Sequence, residues 1–171
     1  MTDHPASRDA DALRAEFDTA FARASAPAAS GVSLLAIRIG GSPYAIRVLD
    51  ARGLVPVSAV VPVPSGRPEV LGIVGLRGEI LPVYGLARMV LGAEDDPPRW
   101  LILAGATDRV GLGFTGFEGH LVAAQSELMP ASGHAGTRHV RELYTGTPPR
   151  PVLDLASLVS AATAQTDRES P

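Results

Sequence analysis

From Ser33 onward the apolar residues recur with a period of two. Leu35, Ile37 and Ile39 fall on one face, and after Gly40-Gly41-Ser42-Pro43 the positions Tyr44, Ile46 and Val48 repeat the pattern. Two alternating runs around a glycine pair predict a β-hairpin. Strand-like apolar runs follow at 54–63, 70–76, 79–84, 100–105, 109–114 and 120–124, most of them separated by Gly or Pro. Many short strands predict a barrel or sandwich and argue against a βαβ fold.

The N-terminal stretch differs. Between residues 9 and 24, Leu13, Phe17 and Phe21 lie four apart, which is one apolar stripe on a short helix, and the Ser25–Ser30 segment SAPAAS ends it. A helix of roughly three turns is marginal alone. It either packs on its own domain or serves as a docking segment for a partner.

An internal echo refines the architecture. Pro82-Val83-Tyr84-Gly85-Leu86-Ala87-Arg88-Met89-Val90 matches Pro151-Val152-Leu153-Asp154-Leu155-Ala156-Ser157-Leu158-Val159 at Pro, Val, Leu, Ala and Val. Both copies read as a strand running into a helix. Asp154 is a good N-cap for the second, with Leu155, Leu158, Val159 and Ala162 as its apolar face; in the first, Gly85 takes the cap position and Gly92 ends the helix. Each copy follows an earlier hairpin, near 34–48 and near 100–114, which suggests two similar β lobes, each closed by a short helix.

Composition narrows the chemistry. A length of 171 residues with 46% hydrophobic content suits one domain with an ordinary core. No cysteine is present, which excludes disulfides, thiolate metal sites and cysteine nucleophiles. All cationic side chains of the Lys+Arg class are arginines, and the net charge of -3 gives no basic excess for a phosphate backbone, so nucleic acid is not an expected partner. The first residues, MTDHPASRDADALRAEF, lack the apolar stretch of a signal peptide, and no apolar run has the length of a membrane span. A cytoplasmic protein without direct membrane insertion is expected.

Three candidate motifs carry little. Gly111-Leu112-Gly113-Phe114-Thr115-Gly116 spells G-x-G-x-x-G, but Val110, Leu112 and Phe114 alternate as in a strand and no helix opens at the last glycine. Its glycines are expected to thin a strand face where another segment crosses. His134 and His139 fall in Met129–Arg141, a stretch that reads as a surface loop, and His120 stands alone, so solvated histidines are expected, with no metal and no cofactor. No nucleophile elbow and no Ser, His and Asp triad can be assembled, and no enzyme is expected.

The informative segment is Gly72-Ile73-Val74-Gly75-Leu76-Arg77-Gly78-Glu79-Ile80-Leu81-Pro82-Val83. Two apolar strands meet at Arg77-Gly78, and Gly78 can adopt the positive φ of a tight turn. The guanidinium of Arg77 is then displayed, either as an ordinary exposed arginine or as a protein-contact anchor.

GIVGLRGEILPVYGL resembles the signature G-V-x-N-L-R-G-x-I-x-P-V-x-D-L of the CheW family of chemotaxis coupling proteins. LLAIRIGGSPYAIRV is similar to that family's opening hairpin, Val61–Pro68 to its proline-marked lead into the signature, and Pro151–Leu155 to its closing strand and cap. The resemblance covers about residues 33 to 160. It implies an all-β fold of two five-stranded, SH3-like barrel lobes with short helices and a groove between them. The implied domains are an N-terminal extension and linker over 1–29, a CheW-like domain over 30–165, and a tail over 166–171. It also implies an adaptor with no catalytic role, contacting a chemoreceptor cytoplasmic tip and the regulatory domain of a CheA-type histidine kinase. Carried over by position, Arg77 matches the family's functional arginine, with Leu76, Gly78, Glu79, Gly75 and Gly72 around it, and Ala51 and Gly53 match contact positions on the third strand. Several positions depart: Gly75 stands for the signature's Asn, Gly85 for its Asp, Gly53 for the usual acid, and Phe114-Thr115-Gly116-Phe117 for V-D-x-V. These departures leave open a paralogue that binds one of the two partners in a non-flagellar pathway. A small-molecule-binding barrel, with a pocket lined by residues such as Phe114 and Tyr44, is a further alternative.

Overall fold

The computed structural model describes residues 31–106, 109–131 and 138–164. The helix expected over 9–24 lies outside them, as do His134 and the tail.

Eleven strands form among the described residues. They are β1 (Gly31–Ile39), β2 (Ser42–Arg47), β3 (Gly53–Pro56), β4 (Val70–Leu76), β5 (Glu79–Gly85), β6 (Trp100–Ala104), β7 (Val110–Phe114), β8 (Gly116–Ala124), β9 (Leu128–Pro130), β10 (Val140–Tyr144) and β11 (Arg150–Leu153). Two short helices accompany them, α1 (Leu86–Leu91) and α2 (Leu155–Thr163). The fold is all-β, in two sheets. One has six strands in the order β8-β1-β2-β11-β10-β9 and the other five in the order β3-β6-β7-β5-β4.

The expected hairpin is present, with Ile39 opposite Ser42 and positive φ at both Gly40 and Gly41 (54° and 77°). Two positive φ values at the turn match the twist of the flanking strands. The sheets do not follow chain order, however. The hairpin β1–β2 pairs in parallel with β11 (Ala45 with Val152, Ile46 with Leu153), and the hairpin β6–β7 pairs in parallel with β5 (Val83 with Gly111, Tyr84 with Leu112). Each copy of the echo therefore joins the hairpin that precedes the other copy. The echo is structural, but the two lobes are interleaved, because a parallel partner must come from a distant segment.

Strands β1, β2 and β11 bury both faces. Ile37, Ile39, Tyr44, Ile46 and Leu153 join Tyr84, Leu86, Ile102, Leu112 and Phe114 of the five-stranded side in one core, while Leu34, Ala45 and Val152 point the other way into a smaller cluster with Ala123 and Leu128. Burial on both faces explains the nearly continuous apolar reading of LLAI and PVL.

The helix ends match their sequence cues. The Asp154 carboxylate accepts from the Ser157 amide at 3.1 Å, and Gly92 closes α1 at φ 66°. Arg67 anchors the proline-rich lead segment to the end of α2 by donating to the Ala162 carbonyl at 2.8 Å, and its guanidinium also pairs with Glu69.

Two local expectations need correction. The run 54–63 is a strand only over Gly53–Pro56; beyond it a single bridge joins Val61 to Ile73, since prolines at 56, 62 and 64 remove ladder donors. Met129–Arg141 is not wholly loop, because β9 and the start of β10 occupy its ends. The glycines of Gly111–Gly116 lie along strand β7 and its exit, and a Cβ at Gly113 would meet Pro98 Cβ at 3.0 Å. That is the close crossing expected of them.

Candidate protein-contact surface

Strands β4 and β5 form a two-residue hairpin in which Leu76 faces Glu79 and Arg77-Gly78 make the turn. Both turn residues have positive φ, 52° at Arg77 and 83° at Gly78. Glycine takes such a value freely, whereas arginine accepts some strain for it. The turn, not side-chain packing, fixes Arg77 at the tip, where it is exposed.

The tip is bordered on two sides. On one, a cleft of about 190 Å³ is lined by Leu76, Arg77, Glu79 and Leu81 of the hairpin, by Leu103 and Val110, and by Arg52 and Arg109. Glu79 forms an ion pair with Arg109 there. On the other, a shallow groove of about 270 Å³ runs between β4 (Val74, Gly75, Leu76) and the segment Val55–Ala59, with Leu101 at its base. The outer strands β3 and β4 line this groove together, so the five-stranded sheet curls toward closure. Gly75 is exposed and a Cβ there would meet nothing within 4 Å, while its partner Ile80 is 73% exposed.

The residues singled out in the sequence separate into two groups. Gly75, Leu76, Arg77, Gly78 and Glu79 come together at the hairpin tip. Gly72 does not join them: it is buried at φ 145°, and a Cβ there would lie 2.1 Å from the Val61 carbonyl oxygen. Its place in the signature serves the fold, by letting the proline-rich segment cross β4. Ala51 is half-buried against the main core, and a Cβ at Gly53 would touch Leu103 Cδ1 at 3.4 Å. Between them stands Arg52, exposed, which the signature match does not single out. It also lines a wide groove of about 710 Å³ between the turn at Leu49–Asp50 and the outer side of α2, near Arg141 and Val159. Leu49 is 92% exposed at its edge.

Two of the four histidines, His120 and His139, lie within the described residues. His120 is exposed, and among the described residues no group of three His, Asp or Glu side chains could hold a metal ion. His139 is not a solvated loop residue. It is half-buried, and its Nδ1 lies 2.7 Å from Ser157 Oγ. Burial lowers its pKa, the nearby Arg138 charge lowers it further, and Asp154 opposes both. Asp154 is committed to capping α2, so this is a tether between the turn before β10 and the helix, not a triad. Tyr44 and Phe114 are buried in the shared core, packed among its side chains, which counts against a pocket lined by these two residues.

The family model of the CheW-like domain matches residues 33–163. The chain belongs to the CheW-like family. Members of this family are non-enzymatic scaffolds and adaptors. The chain is 26% identical over 103 residues to the chemotaxis protein CheW of Rhizobium meliloti (strain 1021), a match covering 60% of this chain and 63% of that protein's length. Its fold is similar to the crystal structure of the scaffolding protein TtCheW from Thermoanaerobacter tengcongensis, with a TM-score of 0.63 at 14% identity over 72% of this chain and 88% of that one. Within the CheW-like frame, the signature's departures have visible local settings. The side chain of Leu71 lies 3.3 Å from where a Cβ at Gly85 would stand, and Thr115 donates to Asp95 at 3.3 Å.

Proposed function

We propose that this chain is a cytoplasmic adaptor that couples chemoreceptor tips to the regulatory domain of a CheA-type histidine kinase, with residues 30–165 as the coupling domain. The observation that carries this reading is the exposed Arg77 at the β4–β5 turn of a CheW-like domain, between an arginine-lined cleft and a shallow groove. A planar guanidinium beside partly apolar surface has the composition of an interface hot spot. The chemotaxis protein that it resembles supports the pathway. Among the described residues no helix is long and apolar enough to cross a membrane, which fits a part recruited by other proteins.

A second reading has its own support. Gly53 and Gly75 offer no side chain where the signature family carries an acid and an amide, so this chain has fewer polar contacts to give. A paralogue engaging only the kinase or only the receptor is consistent with that loss. Size-exclusion of the full chain with the kinase regulatory domain and the receptor tip of the same organism, singly and together, separates the readings. A ternary peak supports coupling, a single binary peak supports the paralogue, and no complex with either removes both.

A further inference from the structure

Resting on that adaptor reading, we infer that the cleft beside Arg77 receives an acidic partner segment, with Arg52, just before β3, supplying a second basic contact. Among the described residues, three arginines, Arg52, Arg77 and Arg109, line the cleft against one carboxylate, Glu79, and that carboxylate is held by Arg109. Among the described residues, neither Arg52 nor Arg77 has an ion-pair partner, although both are exposed. The whole chain is acidic, at a net charge of -3, so this local positive field is not a by-product of composition.

The backbone fixes where Arg52 stands. Its amide donates to the Leu103 carbonyl at 2.8 Å, and Gly53 then pairs with Leu103 at the start of β3. At Gly53, where the signature family carries an acid, this chain has no side chain to neutralise the adjacent guanidinium. Asp50, the nearest acid in sequence, is taken by Arg141 at 3.2 Å. Two unpaired guanidiniums in one cleft repel each other, and a pair of carboxylates from outside relieves this while accepting their paired N–H groups. Leu76, Leu81 and Leu103 give the cleft an apolar floor. The segment it fits therefore carries Asp or Glu on either side of an aliphatic residue. Electrostatic matching of this kind acts mainly on specificity and association rate.

The test is binding of full-length wild type, Arg52→Glu, Arg52→Lys and Arg99→Glu to the kinase regulatory domain and to the receptor tip, with melting temperatures as the folding control. Arg99 is an exposed arginine at the other end of β6, so its reversal changes net charge equally without touching the cleft. Arg52→Glu is expected to weaken one partner about tenfold or more, Arg52→Lys less, and Arg99→Glu no more than about twofold. The wild-type affinity for that partner falls as salt is raised, because exposed charges are screened beyond about 10 Å at 0.1 M. Equal weakening by Arg52→Glu and Arg99→Glu, or none by either, overturns the acidic-segment inference while leaving the adaptor reading intact. Failure of the wild type to bind either protein overturns the adaptor reading, and this inference with it.

Discussion

Replacing Gly72 by alanine tests whether the signature's first glycine serves the fold or the surface. The added Cβ would lie 2.1 Å from the Val61 carbonyl oxygen, 2.7 Å from its carbon and 2.9 Å from Pro62 Cα, all backbone atoms that cannot rotate away. The proline-rich segment must move, and with it the Val61–Ile73 bridge, whose two hydrogen bonds are each 2.9 Å long. The backbone also sits at φ 145°, a conformation that costs a residue with a side chain about 1–3 kcal/mol. Overpacking adds about 1–3 kcal/mol, so a loss near 3 kcal/mol is a conservative expectation against a total of about 5–15 kcal/mol. For a domain of this size that lowers Tm by about 10 °C. Gly75→Ala is the matched control, since its Cβ enters open space, and it should leave Tm unchanged or raise it slightly by stiffening the unfolded chain. Differential scanning calorimetry of both variants decides the point. A Gly72→Ala protein melting within about 2 °C of wild type would refute the close-crossing argument.

Arg150 is 6% exposed, pairs with Glu118 at 2.6 Å, and leaves its Nε without a partner; Arg150→Ala should cost about 2–4 kcal/mol, and Arg150→Met less because it keeps the buried stem, as read by chemical denaturation. Burial and Arg138 depress the pKa of His139, so the unfolded chain takes up its proton first and stability falls as pH drops below about 6.5. His139→Gln should flatten the Tm–pH profile between about pH 8 and 5; an unchanged slope would show that the histidine titrates normally. Burial would raise the pKa of Glu118, but hydrogen bonds from Arg38 and Arg150 hold it below the ordinary carboxylate value, so its contribution is lost only at lower pH, outside that window. Removing residues 1–29 should leave one cooperative unfolding transition, because β1 begins at Gly31 and the family match at residue 33; an aggregated product would show that the extension belongs to the core.

Much of the local structure was legible in the sequence because local physics set it. The Gly40-Gly41 turn, the Asp154 cap, the Gly92 stop and the alternation of Leu35, Ile37 and Ile39 each depend on neighbours within a few residues. Which strands pair in parallel depends on contacts between distant segments, and nothing near Val152 announces Ala45 as its neighbour. Strand β10 was hidden for a different reason: in Val-Arg-Glu-Leu-Tyr two charged residues interrupt the apolar run, and Arg47 pairs with Glu142 from across the sheet at 2.7 Å. At the candidate surface, Arg77 was legible because a turn displays it. Gly72 and Gly75 look alike in sequence, and only the crossing of Val61 separates them. Arg52 was overlooked because the resemblance directs attention to its neighbours Ala51 and Gly53; an unpaired charge beside a missing acid was the signal available.

On this reading the displayed Arg77 works in binding and not in folding. Isothermal titration of wild type and Arg77→Ala against the kinase regulatory domain and the receptor tip, with Tm measured on the same samples, addresses it directly. A stability change within about 0.5 kcal/mol is expected, since the side chain is exposed and makes no ion pair among the described residues. Affinity for at least one partner should fall by about 2 kcal/mol, roughly thirtyfold, with Arg77→Lys recovering only part of the loss. Unchanged affinity of Arg77→Ala for both partners, in a protein as stable as wild type, would contradict this reading.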